Sequence, residues 1–141
     1  MKIAIGSDHA GFELKEFLKE NLKNKVEIID EGTFSPESCD YPDYAHKVAE
    51  DIQLKKADFG ILICGSGNGV NMTANKHKGV RSALCWNKEI AALARQHNNA
   101  NACALPARFI DKHTALEIVN TFLEEKFEGG RHERRVNKIE V

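Results

Sequence analysis

A cysteine and a glycine-rich loop adjoin in the stretch GILICGSGNGVN, residues 60–71. An apolar run ends at Cys64, and the next five residues are Gly65, Ser66, Gly67, Asn68 and Gly69. Because glycines leave their backbone N–H groups unobstructed, such a loop at the start of a helix can cradle an anion. The same position favours the thiolate form of a cysteine, which is a base and a nucleophile. The alternatives are a tight turn that binds nothing and a thiol that acts as a small buried hydrophobe.

A carboxylate and two histidines are further candidate site residues, of which His97 is the candidate for acid–base chemistry. Asp8 and His9 follow the first apolar run, and His97 follows a predicted helix at the start of the polar stretch HNNAN. The alternatives are purely structural roles: Asp8 would cap the next helix, and His97 would face the dipole of the helix that it follows. Taken together with Cys64, these groups form a set that can move a proton next to a carbonyl.

Basic side chains are concentrated near the end of the chain, in FEGGRHERRVNKIEV at 127–141. The whole chain has 20 basic and 21 acidic residues, so this cluster stands out from a nearly neutral background. Guanidinium groups bind phosphate through paired N–H donors, and the tail therefore predicts a phosphate clamp, with a solvated tail as the alternative. The net charge of −1 favours neither nucleic acid nor a membrane surface as a partner.

The four cysteines are widely scattered, at Cys39, Cys64, Cys85 and Cys103. This spacing predicts reduced thiols in a cytoplasmic protein rather than a disulfide framework or a metal site. The glycine loop fits neither the dinucleotide fingerprint G-x-G-x-x-G nor a P-loop, which needs Gly-Lys-Ser/Thr. We therefore expect neither a metal nor an organic cofactor. The amino-terminal run MKIAIGSDH resembles a strand and not a signal peptide, and no stretch has the length of a membrane span.

Five short β-rich runs alternate with segments of helical periodicity. Strands are predicted at 2–6, 26–30, 59–64, 80–85 and 102–106, and helices at 12–22, 44–54, 70–76, 89–95 and 114–122. This alternation predicts one doubly wound α/β domain over residues 1–141, with a basic tail from about 129 to 141. Ligands of such sheets bind outside the carboxyl ends of the strands. Asp8, His9 and Cys64 should lie on that rim, and His97 approaches it if the loop before the fifth strand returns there.

Five motifs, in order along the chain, resemble the type B ribose-5-phosphate isomerases, whose wider group includes galactose-6-phosphate isomerase subunits. They are GSDHAGFELK at 6–15, DYPDYA at 40–45, GILICGSGNGVNMTANK at 60–76, RQHNNAN at 95–101 and GGRHERR at 129–135. The resemblance implies a Rossmann-like three-layer α/β sandwich with a five-stranded parallel sheet. It also implies interconversion of D-ribose 5-phosphate and D-ribulose 5-phosphate, a step of the pentose phosphate pathway, through a cis-enediolate and without a cofactor.

The resemblance also implies roles for single residues. Cys64 would be the base that moves the proton between C1 and C2, while Ser66 and the amides of residues 65–69 would hold the enediolate oxygens. One branch of the family has serine at the position of Cys64 and uses a glutamate further along as its base. The stretch NMTANK at 71–76 has no carboxylate here, so the thiolate mechanism is the one expected.

The resemblance assigns the remaining side chains to ring opening and to binding. His97 would open the sugar ring, helped by Asp8 or Tyr41, and Asn98 would bind a substrate hydroxyl. Phosphate contacts are expected from His9, Arg131 and Arg135, with Arg108 and His132 as further contacts. Members of the family are homodimers or homotetramers in which two subunits build each pocket, so the basic tail is expected to reach a neighbouring subunit.

Alternative functions remain open from the sequence. The same chemistry could act on a hexose 6-phosphate such as allose or galactose 6-phosphate. A protein that binds sugar phosphates or nucleotides without catalysis would have no use for both Cys64 and His97. A thiol redox role lacks a resolving cysteine close in sequence.

Overall fold

A computed structural model describes residues 1–141. Its strands are β1 (Lys2–Ser7), β2 (Glu27–Asp30), β3 (Phe59–Cys64), β4 (Ser82–Leu84) and β5 (Ala102–Pro106). Its helices are α1 (Phe12–Leu22), α2 (Tyr41–Gln53), α3 (Asn68–Ala74), α4 (Lys88–Gln96), α5 (Lys112–Glu124) and α6 (Arg131–Val136). A single 3₁₀ turn at His9–Gly11 leads from β1 into α1.

All five strands run parallel, in the order β2-β1-β3-β5-β4. This confirms the predicted five-stranded parallel sheet. The chain leaves β1 toward β2 on one side and returns to place β3 on the other side, so the direction of winding reverses between β1 and β3. Such a reversal opens a crevice outside the carboxyl ends of the two strands. In the register of the sheet, Ser7 lies beside Ile63, and Cys64 lies beside Pro106.

Helices cover both faces of the sheet, which gives the predicted three layers. Alternate residues of β3 point to opposite faces: Ile61 and Ile63 pack with α1, α4 and α5, whereas Leu62 and Cys64 pack with α2 and α3. Both sets are buried, which explains why the strand is a continuous apolar run in the sequence. The sheet is therefore a rigid platform whose edges carry the polar residues.

The helix boundaries follow local capping chemistry. The side chains of Asn87 and Asp111 accept hydrogen bonds from Ile90 N and Thr114 N at 2.9 and 2.8 Å, which fixes the starts of α4 and α5. Helix α2 begins at Tyr41, three residues before the predicted start, because Pro42 in its first turn needs no N–H partner. Helix α6 in the basic tail is an addition to the predicted elements. No helix combines the length and the apolar character that a membrane crossing requires.

Candidate active site

An open depression of about 510 Å³ lies at the carboxyl ends of β1 and β3, at the point where the winding reverses. The residues that line it come from four connections of the chain. They are Asp8, Tyr41, Cys64, Gly65, Ser66, Gly69, Arg108 and Phe109. Seven of these were predicted from the sequence as site residues, and the sheet brings those seven together in one chain. Phe109, which is 77% exposed, is the member that the sequence analysis missed.

Cys64 is the last residue of β3, and only 5% of it is exposed. Its position is fixed through the backbone, because its carbonyl oxygen accepts a hydrogen bond from Ala107 N at 2.9 Å. Immediately after it, Gly65 O accepts from Arg108 N at 3.0 Å. The residues that follow β5 therefore hold the end of β3 in place. The Cys64 side chain packs with α2 and α3 and also lines the floor of the depression.

The glycine loop at 65–69 presents backbone donors at the same place. The amides of Gly65 and Ser66 donate to no group within the chain. The amide of Asn68 is engaged differently, because it donates to the Ser66 hydroxyl at 3.2 Å. Gly67 has a φ of +76°, which favours glycine, and a Cβ there would lie 2.5 Å from Leu84 Cδ1. The loop is therefore built tightly against β4 and leaves two donors for a ligand oxygen.

Aromatic and basic side chains flank the loop. The ring of Tyr41 lies against Gly69 so closely that any side chain at that position would collide with it. The Arg108 side chain passes over Gly65, where a Cβ would lie 3.2 Å from its Cδ and Nη1 atoms. Gly69 is thus required for close contact with the Tyr41 ring, whereas a side chain at Gly65 would have to displace the flexible end of Arg108 by a few tenths of an ångström. The Arg108 guanidinium and the Tyr41 phenol therefore line the same depression as the Cys64 thiol.

Asp8 and His9 occupy the turn after β1. Asp8 is 7% exposed, and its Oδ1 accepts from Gly11 N at 3.1 Å, so the side chain does cap the following turn. It also lines the depression, and capping uses only one of its two oxygens. His9 Nδ1 accepts from Cys39 N at 3.2 Å. In its neutral form this ring therefore carries its proton on Nε2, which is available as a donor.

His97 and Asn98 do not reach this rim within one chain. Helix α4 follows β4 and runs back across the sheet, and His97 directly follows its last residue. After the short turn at 97–101 the chain enters β5 at Ala102, which pairs with Gly60 and Ser82 at the amino ends of β3 and β4. The possibility that the loop before the fifth strand returns to the Cys64 rim is therefore wrong for a single chain. A crossover helix that starts at one edge of a parallel sheet must end at the other.

The predicted tail residues lie with His97 at this second edge. The rings of His97 and His132 are stacked, with centroids 4.1 Å apart and an interplanar angle of 10°. Glu128 lies between them, with its Oε1 at 3.6 Å from Nε2 of each ring. Arg131 and Arg135 flank His132 in α6, and both are exposed. Desolvation together with the positive charges of His97, Arg131 and Arg135 lowers the pKa of His132, although Glu128 acts in the opposite direction.

The predicted site residues thus form two groups at opposite edges of the sheet. The first group combines a thiol, a carboxylate, free amides and a cation, which suits the stabilisation of a small oxyanion next to a base. The second group combines imidazoles and guanidiniums, which suits proton transfer and phosphate binding. His97, Glu128 and His132 also offer three potential metal ligands whose donor atoms lie within 4.8 Å of one another. This set was not predicted from the sequence, because His97 is distant along the chain from the other two residues.

Comparison with known proteins gives a consistent set of relatives. A family model for ribose/galactose isomerases matches residues 3–139. A ribose-5-phosphate isomerase B from Escherichia coli strain K12 is 45% identical over 139 residues, which cover 98% of this chain and 93% of that protein.

Solved structures are equally similar. The crystal structure of a ribose 5-phosphate isomerase from Thermotoga maritima has a TM-score of 0.96 and 56% identity, and the match covers 99% of this chain and 97% of that chain. Ribose-5-phosphate isomerase B from Mycoplasma genitalium, solved with bound ribulose-5-phosphate, has a TM-score of 0.94 and 48% identity. That match covers 98% of this chain and 93% of the other.

Proposed function

The chain belongs to the ribose/galactose isomerase family, and from this premise we propose that it interconverts D-ribose 5-phosphate and D-ribulose 5-phosphate. The observation that carries the proposal is the depression in which a buried thiol, two free backbone amides and a buried carboxylate meet. Aldose–ketose isomerisation needs a base for the proton next to the carbonyl and donors for the enediolate oxygens. Cys64 and the free amides of Gly65 and Ser66, which lie together at the depression, can meet both requirements.

In the proposed reaction, Cys64 as the thiolate removes the proton from C2 of the open-chain aldose. The C2–H bond breaks, a C1–C2 double bond forms, and the carbonyl electrons move onto O1. The amides of Gly65 and Ser66 stabilise the resulting enediolate, because preorganised donors strengthen their interaction as charge develops. The same thiol then returns a proton to C1, and the proton of O2 passes to O1, so that C1 becomes a hydroxymethyl group and C2 the ketose carbonyl. No electron leaves the substrate, so the chemistry requires no redox cofactor.

In this proposal, another subunit supplies the second group of residues, the imidazoles and guanidiniums at the amino edge of its sheet. His97 moves the proton that opens the sugar ring, with Asp8 or Tyr41 assisting, and Asn98 binds a substrate hydroxyl. Phosphate is held by His9, Arg131 and Arg135, with Arg108 and His132 as further contacts. The separation of the two groups within one chain supports a homodimer or homotetramer with shared sites, because a second copy can supply the missing half to each depression.

Two further expectations from the sequence stay predictions, namely a cytoplasmic location and the choice of a pentose over a hexose phosphate.

The proposed function is tested by adding the purified protein to ribose 5-phosphate in deuterated water. We expect ribulose 5-phosphate to form with deuterium at C1, because a base that exchanges with solvent carries the proton. Cys64→Ala should lower kcat by about 10²- to 10⁴-fold or more, whereas Cys39→Ala should leave it unchanged. Cys39 is a matched control, since it is a free cysteine outside the depression.

Three outcomes would contradict parts of the proposal. Ketose formation without any deuterium would exclude transfer through an exchangeable base. Full activity of Cys64→Ala would remove the thiol as that base. If allose 6-phosphate or galactose 6-phosphate were converted with a higher kcat/KM than ribose 5-phosphate, the substrate assignment would be wrong while the reaction class would stand.

A further inference from the structure

At the amino edge of the sheet, three potential metal ligands converge outside the depression that contains Cys64. They are His97 at the end of α4, Glu128 in the connection after α5, and His132 in α6. Two imidazoles and one carboxylate form the ligand set that zinc uses in open tetrahedral sites, with a fourth position left for water or another ligand. Hard cations such as magnesium prefer oxygen ligands, so this set selects for zinc and similar transition metals.

Two of the three distances between donor atoms already fit one ion, and all three donor atoms lie within 4.8 Å of one another. Glu128 Oε1 lies 3.6 Å from His97 Nε2 and 3.6 Å from His132 Nε2. Bonds of about 2.0–2.2 Å in tetrahedral geometry place neighbouring ligand atoms about 3.3–3.6 Å apart. The two imidazole rings are parallel, so their lone pairs run side by side instead of converging. Convergence on one tetrahedral ion therefore requires each ring to turn by about 55° about χ2. The His97 side chain, 38% exposed, has room for this rotation, and the His132 side chain, 12% exposed, is the more confined of the two.

Backbone hydrogen bonds hold the three residues close together before any ion arrives. His97 N donates to Leu93 O at 2.9 Å, and Glu128 N donates to Gln96 O at 3.0 Å, which ties the α5–α6 connection to the end of α4. His132 N donates to Gly129 O at 3.0 Å in the first turn of α6. Ordering the ligands thus needs only side-chain movement, which lowers the entropic cost of binding. The positive charges of Arg131 and Arg135 oppose a cation here, and the Glu128 carboxylate offsets one of them.

We propose that His97, Glu128 and His132 form a binding site for zinc or a similar divalent transition metal, and that occupancy inhibits the enzyme by removing His97 from proton transfer. The inhibitory half of the proposal rests on the proposed function, in which His97 opens the sugar ring. An imidazole nitrogen that is bonded to a metal cannot accept or donate the proton of that step. Zinc would therefore act as a reversible inhibitor, and a chelator would restore activity.

Metal binding is measured directly by calorimetric titration of reduced full-length protein with zinc chloride. We expect one zinc ion per chain, and about tenfold or more weaker binding in Glu128→Gln, which keeps the shape of the side chain but removes the charged ligand. Glu124→Gln is the matched control, because it makes the same change at an exposed glutamate of α5 outside the cluster. Equal zinc affinity of wild type and Glu128→Gln would overturn the site.

Thiols are the competing ligands for zinc, and cobalt distinguishes them. Cobalt bound by imidazoles and a carboxylate gives tetrahedral visible bands without the ultraviolet charge-transfer band of a thiolate ligand. A thiolate band that disappears in Cys64→Ala would assign the metal to the depression instead and overturn the proposal.

Activity provides the second readout. We expect zinc to inhibit wild type and Glu124→Gln at concentrations at which Glu128→Gln retains its activity, and EDTA to reverse the inhibition. Zinc binding at the cluster with unchanged isomerase activity would overturn the inhibitory half. If wild type had no isomerase activity with or without zinc, the proposed function would fail, and the calorimetric comparison would still decide the metal site.

Discussion

Cys64 and His97 lie at opposite edges of the same sheet. Cys64 pairs with Pro106 at the last position of β3 and β5, whereas His97 precedes Ala102, where β5 begins. The run from Gly60 to Cys64 alone spans about 13 Å of strand at about 3.3 Å per residue. One small sugar phosphate cannot touch both side chains of a single chain. If both act on the same substrate, they must come from different subunits.

This separation leads to a complementation prediction. Cys64→Ala and His97→Asn should each be nearly inactive alone, but a mixture that is dissociated and reassociated should regain activity. In a mixed dimer with shared sites, one site receives both intact side chains and the other receives neither. With random equal mixing, about one quarter of all sites are intact, so we expect about 25% of wild-type kcat per site. The measurement is a steady-state assay of the reassociated mixture.

The control for this experiment is each variant dissociated and reassociated with itself, which should stay inactive. If each chain contained its own complete site, no mixture of the two variants could form an intact one. Absence of recovery, with mixed dimers demonstrated by mass spectrometry, would therefore contradict the shared site.

The role of His97 in ring opening predicts a dependence on the form of the substrate. In D-erythrose 4-phosphate the oxygen that would close the five-membered ring carries the phosphate, so this aldose is acyclic. His97→Asn should lower kcat by about 10²-fold or more on ribose 5-phosphate and much less on erythrose 4-phosphate. The measurement compares the ratio of variant to wild-type kcat on the two sugars. Equal losses on both would remove the ring-opening role.

The tail predicts a difference between two neighbouring arginines. Arg135→Ala should raise KM for ribose 5-phosphate by about 10- to 100-fold with little change in kcat, because charge-assisted hydrogen bonds to phosphate hold the substrate equally in ground and transition states. Arg134→Ala is the matched control, since Arg134 is an exposed arginine of the same helix without an expected phosphate contact. Alanine suits a helix, so neither change should disturb α6. An unchanged KM for Arg135→Ala would favour a solvated tail.

Much of the fold could be predicted because the core strands are buried on both faces. A strand such as β3, whose alternate residues Ile63 and Cys64 pack on opposite sides, is apolar throughout and stands out between polar helices. The residues around Cys64 were predictable for the same reason, since the end of a buried strand and its glycines are local signals. The strand order was not predictable, because an apolar run does not specify its neighbours. The placement of β5 between β3 and β4 is a result of tertiary packing.

The second edge of the sheet was harder to predict. The predicted helix before the fifth strand already implied that His97 lies at the amino edge, but the resemblance grouped it with Cys64 by function rather than by position. Glu128 follows α5 and meets His97 only because its amide bonds to the end of α4. No spacing in the sequence indicates that contact. The i,i+4 relation of Glu128 to His132 was the one signal available.

A pair of carboxyl groups outside both groups of site residues predicts how stability depends on pH. Burial, a hydrogen bond with Asp51 and the negative charge of Asp51 raise the pKa of Glu31, although Lys47 and Lys56 act in the opposite direction. Asp51 itself is buried, and its Oδ2 lacks a hydrogen-bond partner in the chain. Two carboxylates this close cannot both be ionised without cost, so the folded state retains a proton that the unfolded chain loses.

Replacing Glu31 by glutamine should therefore stabilise the protein at neutral pH. Because the folded pKa of Glu31 is raised, the folded state binds more protons, and wild-type stability falls as pH rises from about 4.5 through the folded pKa. The Glu31→Gln variant has no proton to lose at this position, so its advantage in Tm should be absent near pH 4 and fully present at pH 7. The measurement is thermal unfolding at a series of pH values, with Glu37→Gln, an exposed loop residue, as the control. An advantage of Glu31→Gln that is the same at pH 4 and pH 7 would show that the effect comes from packing and not from the shared proton.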